Sequence, residues 1–182
     1  FNAIVCTFHD VSQRIESEQK AILANQQSES IINSLPGVFY LYDRTGKFIR
    51  WNKNFEQVTG YSAEEISKMH PLDFFEGEER ERVAEKINTV FEKGYADVQA
   101  HFHSKYRARI PYYFNGCSAT FNGMDYLMGM GIDITDRVKA EKEMRERTEE
   151  IRKLTAHLQH VREEERTRMA REIHDELGHE IT

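Results

Sequence analysis

Three side chains near the end of the sequence, His174, Asp175 and His179, have the chemistry of a nucleophilic site. A neutral imidazole is a competent nucleophile near neutral pH, and a neighbouring carboxylate can orient it or accept its proton. At about 100° per residue, His174 lies at the edge of an apolar helical stripe, and Asp175 and His179 lie on the outward face. The stripe consists of Met169, Ala170, Ile173, Leu177 and Ile181. The pattern therefore predicts a histidine that a helix bundle supports but that solvent can reach.

The run from Arg166 to His179 resembles the phosphoacceptor box of sensor histidine kinases. It contains Arg-Glu-Ile-His-Asp-Glu-Leu-Gly, which is similar to the subclass with Arg-Glu-Ile/Leu-His-Asp-x-Leu-Gly. The resemblance implies that His174 accepts the γ-phosphoryl group and that Asp175 is the adjacent acid/base. It also implies that His179 stands where a Gln or His positions water for dephosphorylation of the partner regulator. The alternative is a charged helix that carries a stray histidine.

The resemblance also implies cofactors and partners outside this sequence. Phosphoryl transfer needs a Mg²⁺-nucleotide site, and we find no such site in the sequence. We expect ATP and Mg²⁺ to bind another part of a full-length kinase, so that these 182 residues alone would be inactive. The expected partner is a response regulator with a helix-turn-helix output domain. A dimerisation scaffold without kinase activity is the alternative function. A small-molecule enzyme would need a convergent set of catalytic groups, and we find none in the sequence.

A long charged helix precedes the histidine. Residues 137–182 contain 11 Lys or Arg and 12 Asp or Glu, and no Gly or Pro interrupts them before Gly178. Two heptad series indicate a parallel coiled-coil dimer rather than a solvated single helix, because such a segment has no core of its own. The series are Arg137, Met144, Ile151 and Leu158, and Ala140, Arg147, Leu154 and Val161. We assign residues 138–164 to a signalling coiled coil and 165–182 to the start of the phosphoacceptor helix.

The middle of the chain has the pattern of an α+β domain. Two β-rich runs, residues 38–43 and 47–51, are joined through a turn at Gly46, and short helices broken by Gly60 follow. A longer helix over residues 78–93 ends at Gly94. Three further strands complete the pattern, residues 96–107, 110–121 and 126–134, the last two joined by an Asn122-Gly123 turn. This order predicts a five-stranded antiparallel sheet with helices on one face.

The same stretch resembles a PAS sensor domain over about residues 28–137. The resemblance is carried by Leu35-Pro36-Gly37, Trp51-Asn52, the run Thr59–Glu65 and the closing Gly131-Ile132-Asp133-Ile134-Thr135. It implies a small-molecule cavity between the sheet and the helices, with dimerisation through long N- and C-terminal coiled-coil helices. We assign residues 36–137 to this domain and residues 10–35 to a connecting helix.

An internal repeat marks the exit of the domain. Residues 8–14 match residues 131–137 at Asp, a β-branched residue, a hydroxyl residue and Arg. We interpret residues 1–9 as the last strand of a preceding, truncated PAS domain. In the second copy, Asp133 and Thr135 can accept hydrogen bonds from amides at a helix start, and Arg137 can pair with a nearby acid. These three residues are the predicted route of signal transmission from sheet to helix.

No residue pattern names a ligand for the predicted cavity. Haem-binding PAS domains place a histidine on the long helix, and flavin photosensors of the family carry an Asn-Cys-Arg-Phe-type run, so both groups are argued against here. His101 and His103 alternate on one strand but lack an obvious third ligand, and with His70 they are interpreted as surface residues, with no metal site. Cys117 is interpreted as a small apolar residue, and Gly129-Met130-Gly131 as strand rather than a nucleotide loop.

Composition excludes several classes of protein. The chain has 25 Lys+Arg against 31 Asp+Glu, and this acidic balance of mixed signs argues against nucleic-acid binding. No window approaches the roughly 20 apolar residues of a membrane span, although a tether could precede Phe1. The two cysteines form no disulfide framework, so we expect a cytoplasmic location. Because no window is apolar enough for a span, we also expect no direct membrane contact.

Overall fold

The structure is a computed structural model that describes the backbone of residues 2–106 and 108–179 and the side chains of residues 16–106, 108–169 and 171. Its elements, in chain order, are α1 Asn2–Ser34, β1 Val38–Asp43, β2 Phe48–Trp51, α2 Lys53–Thr59, α3 Ala63–Ile66, a 3₁₀ helix Pro71–Phe74, α4 Gly77–Lys93, β3 Tyr95–His103, β4 Arg109–Phe121, β5 Met124–Asp133 and α5 Thr135–His179. The chain divides into two compact units, residues 1–135 and 136–182.

The first unit contains the predicted antiparallel sheet. Within the described ranges it has five strands in the order β2-β1-β5-β4-β3. The turn between β4 and β5 is the predicted one, because Asn122 and Gly123 have φ of 52° and 75° and Phe121 pairs with Met124. Two positive φ angles match the twist of a two-residue hairpin. The α+β prediction and its five strands are therefore confirmed.

The predicted strand over residues 1–9 is wrong for the part that the structure describes. Residues 2–9 continue α1, which runs without a break to Ser34. A strand needs a neighbour to pair its backbone groups, whereas a helix satisfies those groups within itself. No strand in residues 2–106 or 108–179 pairs with this segment, so its backbone groups are paired within a helix instead. The assignment of residues 1–9 to a preceding PAS domain stays a prediction.

Caps explain where the short helices begin and end. Asn52 accepts a hydrogen bond from the backbone N–H of Phe55 at the start of α2, and Gly60 ends that helix in the left-handed region. Ser62 and Glu65 form a reciprocal capping box around the start of α3. Gly94 ends α4 with φ of 90°, as the sequence predicts. These stops allow four helical segments to fold back over one short stretch of chain.

The core between the sheet and these helices consists largely of aromatic rings. Phe55, Phe74 and Phe102 are each at most 2 % exposed, and their ring centroids lie 5.3–5.6 Å apart. Such edge-on and tilted contacts contribute about 0.5–1.5 kcal/mol per pair beyond the burial of area. From α4, Val83 and Val90 pack into the same cluster. The helices α2 to α4 are thereby held on one face of the sheet.

The second unit is the charged helix, and every residue of 136–169 is exposed or nearly so. The apolar heptad residues stand in solvent: Met144 is 70 % exposed and Leu158 is 67 % exposed. Ion pairs at i,i+4 spacing, such as Arg137 Nε with Glu141 Oε1 at 2.8 Å, run along the surface. The long C-terminal helix is confirmed, whereas its pairing as a coiled coil stays a prediction. None of the described helices combines the length and the apolar character needed to cross a membrane.

Candidate functional site

A small cavity lies between α4 and the inner face of the sheet. Its volume is about 60 Å³, and its walls are mostly aromatic and aliphatic. Tyr40, Tyr42, Phe75, Val90 and Leu127 contribute to the walls, and Lys86, Asp97 and Asn115 supply polar groups. Apolar walls with a few polar groups are the usual composition of small-molecule sites. The cavity that the PAS resemblance implies is therefore present.

Two buried phenols in the cavity wall stay uncharged. The hydroxyl of Tyr40 donates a hydrogen bond to the backbone oxygen of Asn115 at 3.0 Å. Burial, with a smaller contribution from Cys117, raises the pKa of Tyr40 well above its usual value. Burial also raises the pKa of Tyr42, with Tyr40 adding to the effect. Both side chains therefore remain protonated at neutral pH.

The size of the cavity bounds what fits without rearrangement. An engineered apolar cavity of about 150 Å³ holds benzene, and a single water needs roughly 10–15 Å³. The 60 Å³ here therefore has room for a few waters or a molecule smaller than benzene. A larger ring system would require Phe75, Phe102 or Phe114 to move. The expectation that neither haem nor flavin binds stays a prediction.

Asn52 connects three segments of the domain through four hydrogen bonds. Its side chain is fully buried, and Oδ1 accepts hydrogen bonds from the backbone N–H of Phe39 at 3.0 Å and of Phe55 at 3.1 Å. Its Nδ2 donates to the oxygens of Gly37 at 2.8 Å and Ile32 at 3.4 Å. Every hydrogen-bonding position of one amide is thus used. Asn52 therefore joins the end of α1, the start of β1 and the start of α2.

At the exit junction Asp133 accepts hydrogen bonds from the helix start as the repeated motif predicts, whereas the Thr135 hydroxyl donates rather than accepts. Asp133 Oδ1 accepts hydrogen bonds from the backbone N–H of Thr135, at 2.8 Å, and from its hydroxyl. The backbone N–H of Ile134 donates to the oxygen of Pro111 at 2.9 Å, which fixes the end of β5 to β4. Val38 pairs with Gly131, so the start of β1 lies beside the end of β5. Arg137, the third predicted residue, pairs with Glu141 in the second unit.

The glycines of the Gly-Met-Gly run serve the sheet. Gly129 and Gly131 lie within β5 on its buried face. A side chain at Gly131 would meet the ring of Phe114 at 2.5 Å and Val38 at 2.8 Å. A side chain at Gly129 would collide with the backbone oxygen of Asn115 and meet the ring of Tyr40 at 2.6 Å. The interpretation of this run as strand rather than nucleotide loop is confirmed.

Gly129→Ala should lower the free energy of unfolding by about 3 kcal/mol, because the backbone of β4 cannot move aside as a side chain could. Gly123→Ala is the matched control: nothing lies within 4 Å, but its φ of 75° disfavours a side chain. That strain costs about 1–2 kcal/mol. Urea unfolding followed by circular dichroism compares the two. Equal losses for both variants would contradict the steric explanation.

The histidines singled out from the sequence have specific partners. Nδ1 of His101 lies 2.8 Å from Glu79 Oε1, and its backbone N–H donates to Glu79 Oε2 at 3.3 Å. Burial opposes ionisation of Glu79, but the hydrogen bonds and charge of His101, together with the charge of Arg109, outweigh it and lower the pKa of the carboxyl. The side chain of His103 is only 11 % exposed, so its interpretation as a surface residue is wrong. β3 is an edge strand, and its outer backbone groups pair with no other strand of the described residues. The contact from Glu79 of α4 covers part of this edge.

No cluster of three or more His, Cys, Asp or Glu side chains suited to a metal occurs among the residues whose side chains are described. Cys117 is half-buried, and its thiol lies 3.6 Å from the oxygen of Met128.

The predicted phosphoacceptor residues belong to α5. His174, Asp175 and His179 all fall within Thr135–His179, so the helical backbone on which their spacing depends is present. Their side chains lie outside the described residues. The roles assigned to them stay predictions.

Sequence reasoning missed the role of Asn52. Its place before α2 indicates an N-cap, but no local signal shows that the same amide also reaches the carbonyls of Gly37 and Ile32. The polar residues at the cavity, such as Asp97, were also missed. The alternation along β3 gives Asp97 only a solvent-facing position, and the sequence does not show that Lys86 of α4 lines the same cavity.

Comparison with known proteins agrees with this architecture. A family model described as the PAS fold matches residues 32–139. A PAS domain from a two-component sensor histidine kinase is 12 % identical over 62 % of this chain and 98 % of that chain, with a TM-score of 0.54. The PAS domain of an HTR-like protein from Haloarcula marismortui is 15 % identical over 65 % and 98 %, with a TM-score of 0.57. An RNA-binding Light-Oxygen-Voltage receptor is 18 % identical over 71 % and 38 %, with a TM-score of 0.59. No match to a curated protein was found.

The fold, the cavity and the exit junction define a sensory domain. The family match covers more than half of the 182 residues, and the chain belongs to the PAS-fold family. The low identities to the solved structures show the fold alone.

Proposed function

We propose that this PAS domain is the sensory part of a two-component sensor histidine kinase, with His174 as the phosphoacceptor. The run from Arg166 to His179 carries the proposal, since its resemblance to a phosphoacceptor box extends over 14 consecutive residues. A similar solved PAS domain comes from a two-component sensor histidine kinase, which is consistent with this assignment.

In this proposal, Asp175 orients the imidazole of His174 or takes its proton during attack on the γ-phosphoryl group. His179 positions a water for dephosphorylation of the partner regulator. ATP and Mg²⁺ would be supplied by a nucleotide-binding domain of the full-length kinase, which is a transferase. The phosphoryl group would pass to a response regulator, which we expect to have a helix-turn-helix output domain. The proposed setting is the cytoplasm, with no contact to nucleic acid.

Signal transmission would use the exit junction. Asp133, at the end of β5, accepts a hydrogen bond from the backbone N–H of Thr135, the first residue of α5. A change in the position of β5 would therefore be passed directly to the start of the helix. A parallel dimer of α5 could convert that change into a shift of His174 relative to the nucleotide. The mechanism requires two states of the dimer that a signal stabilises differently.

The test is phosphorylation of the full-length protein with labelled ATP and Mg²⁺. The proposal expects label that is stable in alkali, lost in acid, and transferable to a response regulator, as a phosphoramidate on histidine would be. A folded dimer that binds ATP but takes up no label would favour the alternative, a dimerisation scaffold without kinase activity. Label that survives acid would contradict a phosphohistidine.

The proposed coiled coil makes a separate prediction. Leu158→Glu should weaken dimerisation about tenfold or more, because it places a charge in the apolar seam. The side chain is 67 % exposed on the single helix, so the variant removes little packing within the chain. Gln159→Glu adds the same charge at a position that belongs to neither heptad series and should leave the dimer intact. Light scattering over a dilution series measures both, and equal dissociation of the two variants would exclude this seam.

A further inference from the structure

His70 caps the 3₁₀ helix Pro71–Phe74 with its side chain. Its Nδ1 accepts a hydrogen bond from the backbone N–H of Leu72 at 3.2 Å. In return, Asp73 Oδ2 accepts a hydrogen bond from the backbone N–H of His70 at 2.8 Å. The two interactions form a reciprocal cap around the start of this short helix. A histidine in the accepting role differs from the usual Ser, Thr or Asn, because its acceptor can gain a proton.

The ring of His70 also packs against the turn between β1 and β2. Gly46 lies in this turn with φ of 81°, and a side chain there would collide with Cδ2 and Nε2 of the ring. The ring therefore fills the space that a side chain would need. His70 is in contact with the β1–β2 turn on one side and with the 3₁₀ helix on the other.

The capped helix supplies part of the domain core. Phe74 is 1 % exposed and contacts the rings of Phe55 and Phe102 at centroid distances of 5.3 Å. Pro71 and Phe75, at either end of the segment, line the cavity. A change in the position of this helix therefore changes the wall of the cavity.

Proton binding and capping exclude each other at Nδ1. Because Leu72 donates to this nitrogen, the neutral ring must carry its proton on Nε2. A protonated imidazole has donors on both nitrogens and cannot accept from Leu72. We propose that His70 is a proton-responsive cap, so that acidification releases the start of the 3₁₀ helix and alters the cavity wall. Imidazole groups generally change charge between about pH 5 and 8.

Neighbouring charges do not offer the protonated ring an equivalent bond. Asp73 already accepts from the backbone of His70 and lies 3.7 Å from Arg80, whose guanidinium also donates to the oxygen of Leu72. In the β1–β2 turn, Oδ1 of Asp43 accepts from the backbone N–H groups of Thr45 and Lys47. The other charged residues of this turn, Arg44 and Lys47, are cationic. We therefore expect release of the cap rather than a new ion pair.

The proposal is tested on the whole chain by thermal unfolding at about pH 7.5 and about pH 5.5, on either side of the imidazole transition. His70→Asn keeps a side-chain oxygen for the cap but has no titrating group. The melting temperature of the wild type should fall by about 4 °C more than that of His70→Asn between these two values. His157→Gln is the matched control, because it removes an exposed histidine of the second unit and should keep the wild-type response. Equal responses of wild type and His70→Asn would overturn the proposal.

A second measurement needs no variant. Amide hydrogen exchange at Leu72, corrected for the intrinsic effect of pH, should show about tenfold lower protection at the acidic value, since the N–H loses its acceptor. Unchanged protection would overturn the proposal, and so would a gain of wild-type stability in acid relative to His70→Asn, which would mean that Asp73 captures the charged ring. Both measurements report on His70, which belongs to the first unit. Their outcome is therefore independent of the phosphotransfer proposal.

Discussion

Replacing His174 by alanine should abolish the acid-labile label that the full-length protein takes up from ATP. Alanine has no nucleophilic nitrogen, so no phosphoramidate can form at this position. The helix should persist, because alanine has the highest helix propensity and His174 lies within a helix of 45 residues. Binding of ATP and the dimer should therefore be unchanged. Autoradiography after alkaline and acidic treatment measures the effect.

His160→Ala provides the control for this experiment. His160 lies on the same helix, pairs with Glu164 at 3.3 Å and is exposed, so it is chemically competent but lies outside the phosphoacceptor run. Its variant should be labelled like the wild type. Label that survives His174→Ala would move the phosphoacceptor to another residue, and loss of label in both variants would point to damage of the helix instead.

Asn52→Ala should lower the free energy of unfolding by about 3 kcal/mol, because it leaves buried polar groups without hydrogen-bond partners. The substitution leaves the N–H of Phe39 and the oxygen of Gly37 buried without a partner. Asn33→Ala is the control, since Asn33 also accepts from a backbone N–H, that of Lys53, but in an exposed position. It should cost about 1 kcal/mol. Chemical unfolding curves distinguish the two.

Asn52→Asp separates the two halves of the network. A carboxylate keeps the acceptor for Phe39 and Phe55 but has no hydrogen to donate to Gly37 and Ile32. Burial beside carbonyl oxygens should raise the pKa of this aspartate above its usual value near 3.9. Its protonated form is then favoured in the folded state, so the variant should gain stability as the pH falls from about 7 to about 4. A pH-independent loss equal to that of Asn52→Ala would contradict the role of the donor.

The strands could be predicted because their signals are local. The β-rich runs ending at Asp43 and beginning at Phe48 are joined by a turn that contains a glycine. In the second hairpin, Asn122-Gly123 supplies the two positive φ angles that the turn needs. Gly94 likewise marks the end of α4 through its own backbone conformation. Each of these features depends on a few adjacent residues, so no knowledge of the rest of the fold is required.

The features that were missed depend on groups far apart in the sequence. Residues 2–9 have the composition of a strand, yet strand formation depends on a partner, which the local sequence does not specify. The four bonds of Asn52 join residues from Ile32 to Phe55, and the ring of His70 meets a turn 24 positions earlier. The cavity volume is what remains after the aromatic rings pack, so its size cannot be deduced from the alternation of any one strand.

The pairing of Val38 with Gly131 gives the domain a modular character. The chain enters the sheet and leaves it on neighbouring strands, which lie about 4.8 Å apart. About 90 residues therefore lie between two chain positions, the start of β1 and the end of β5, that are side by side in the sheet. Such a cassette can be inserted into a helical segment, duplicated or removed without any change in the spacing of what flanks it.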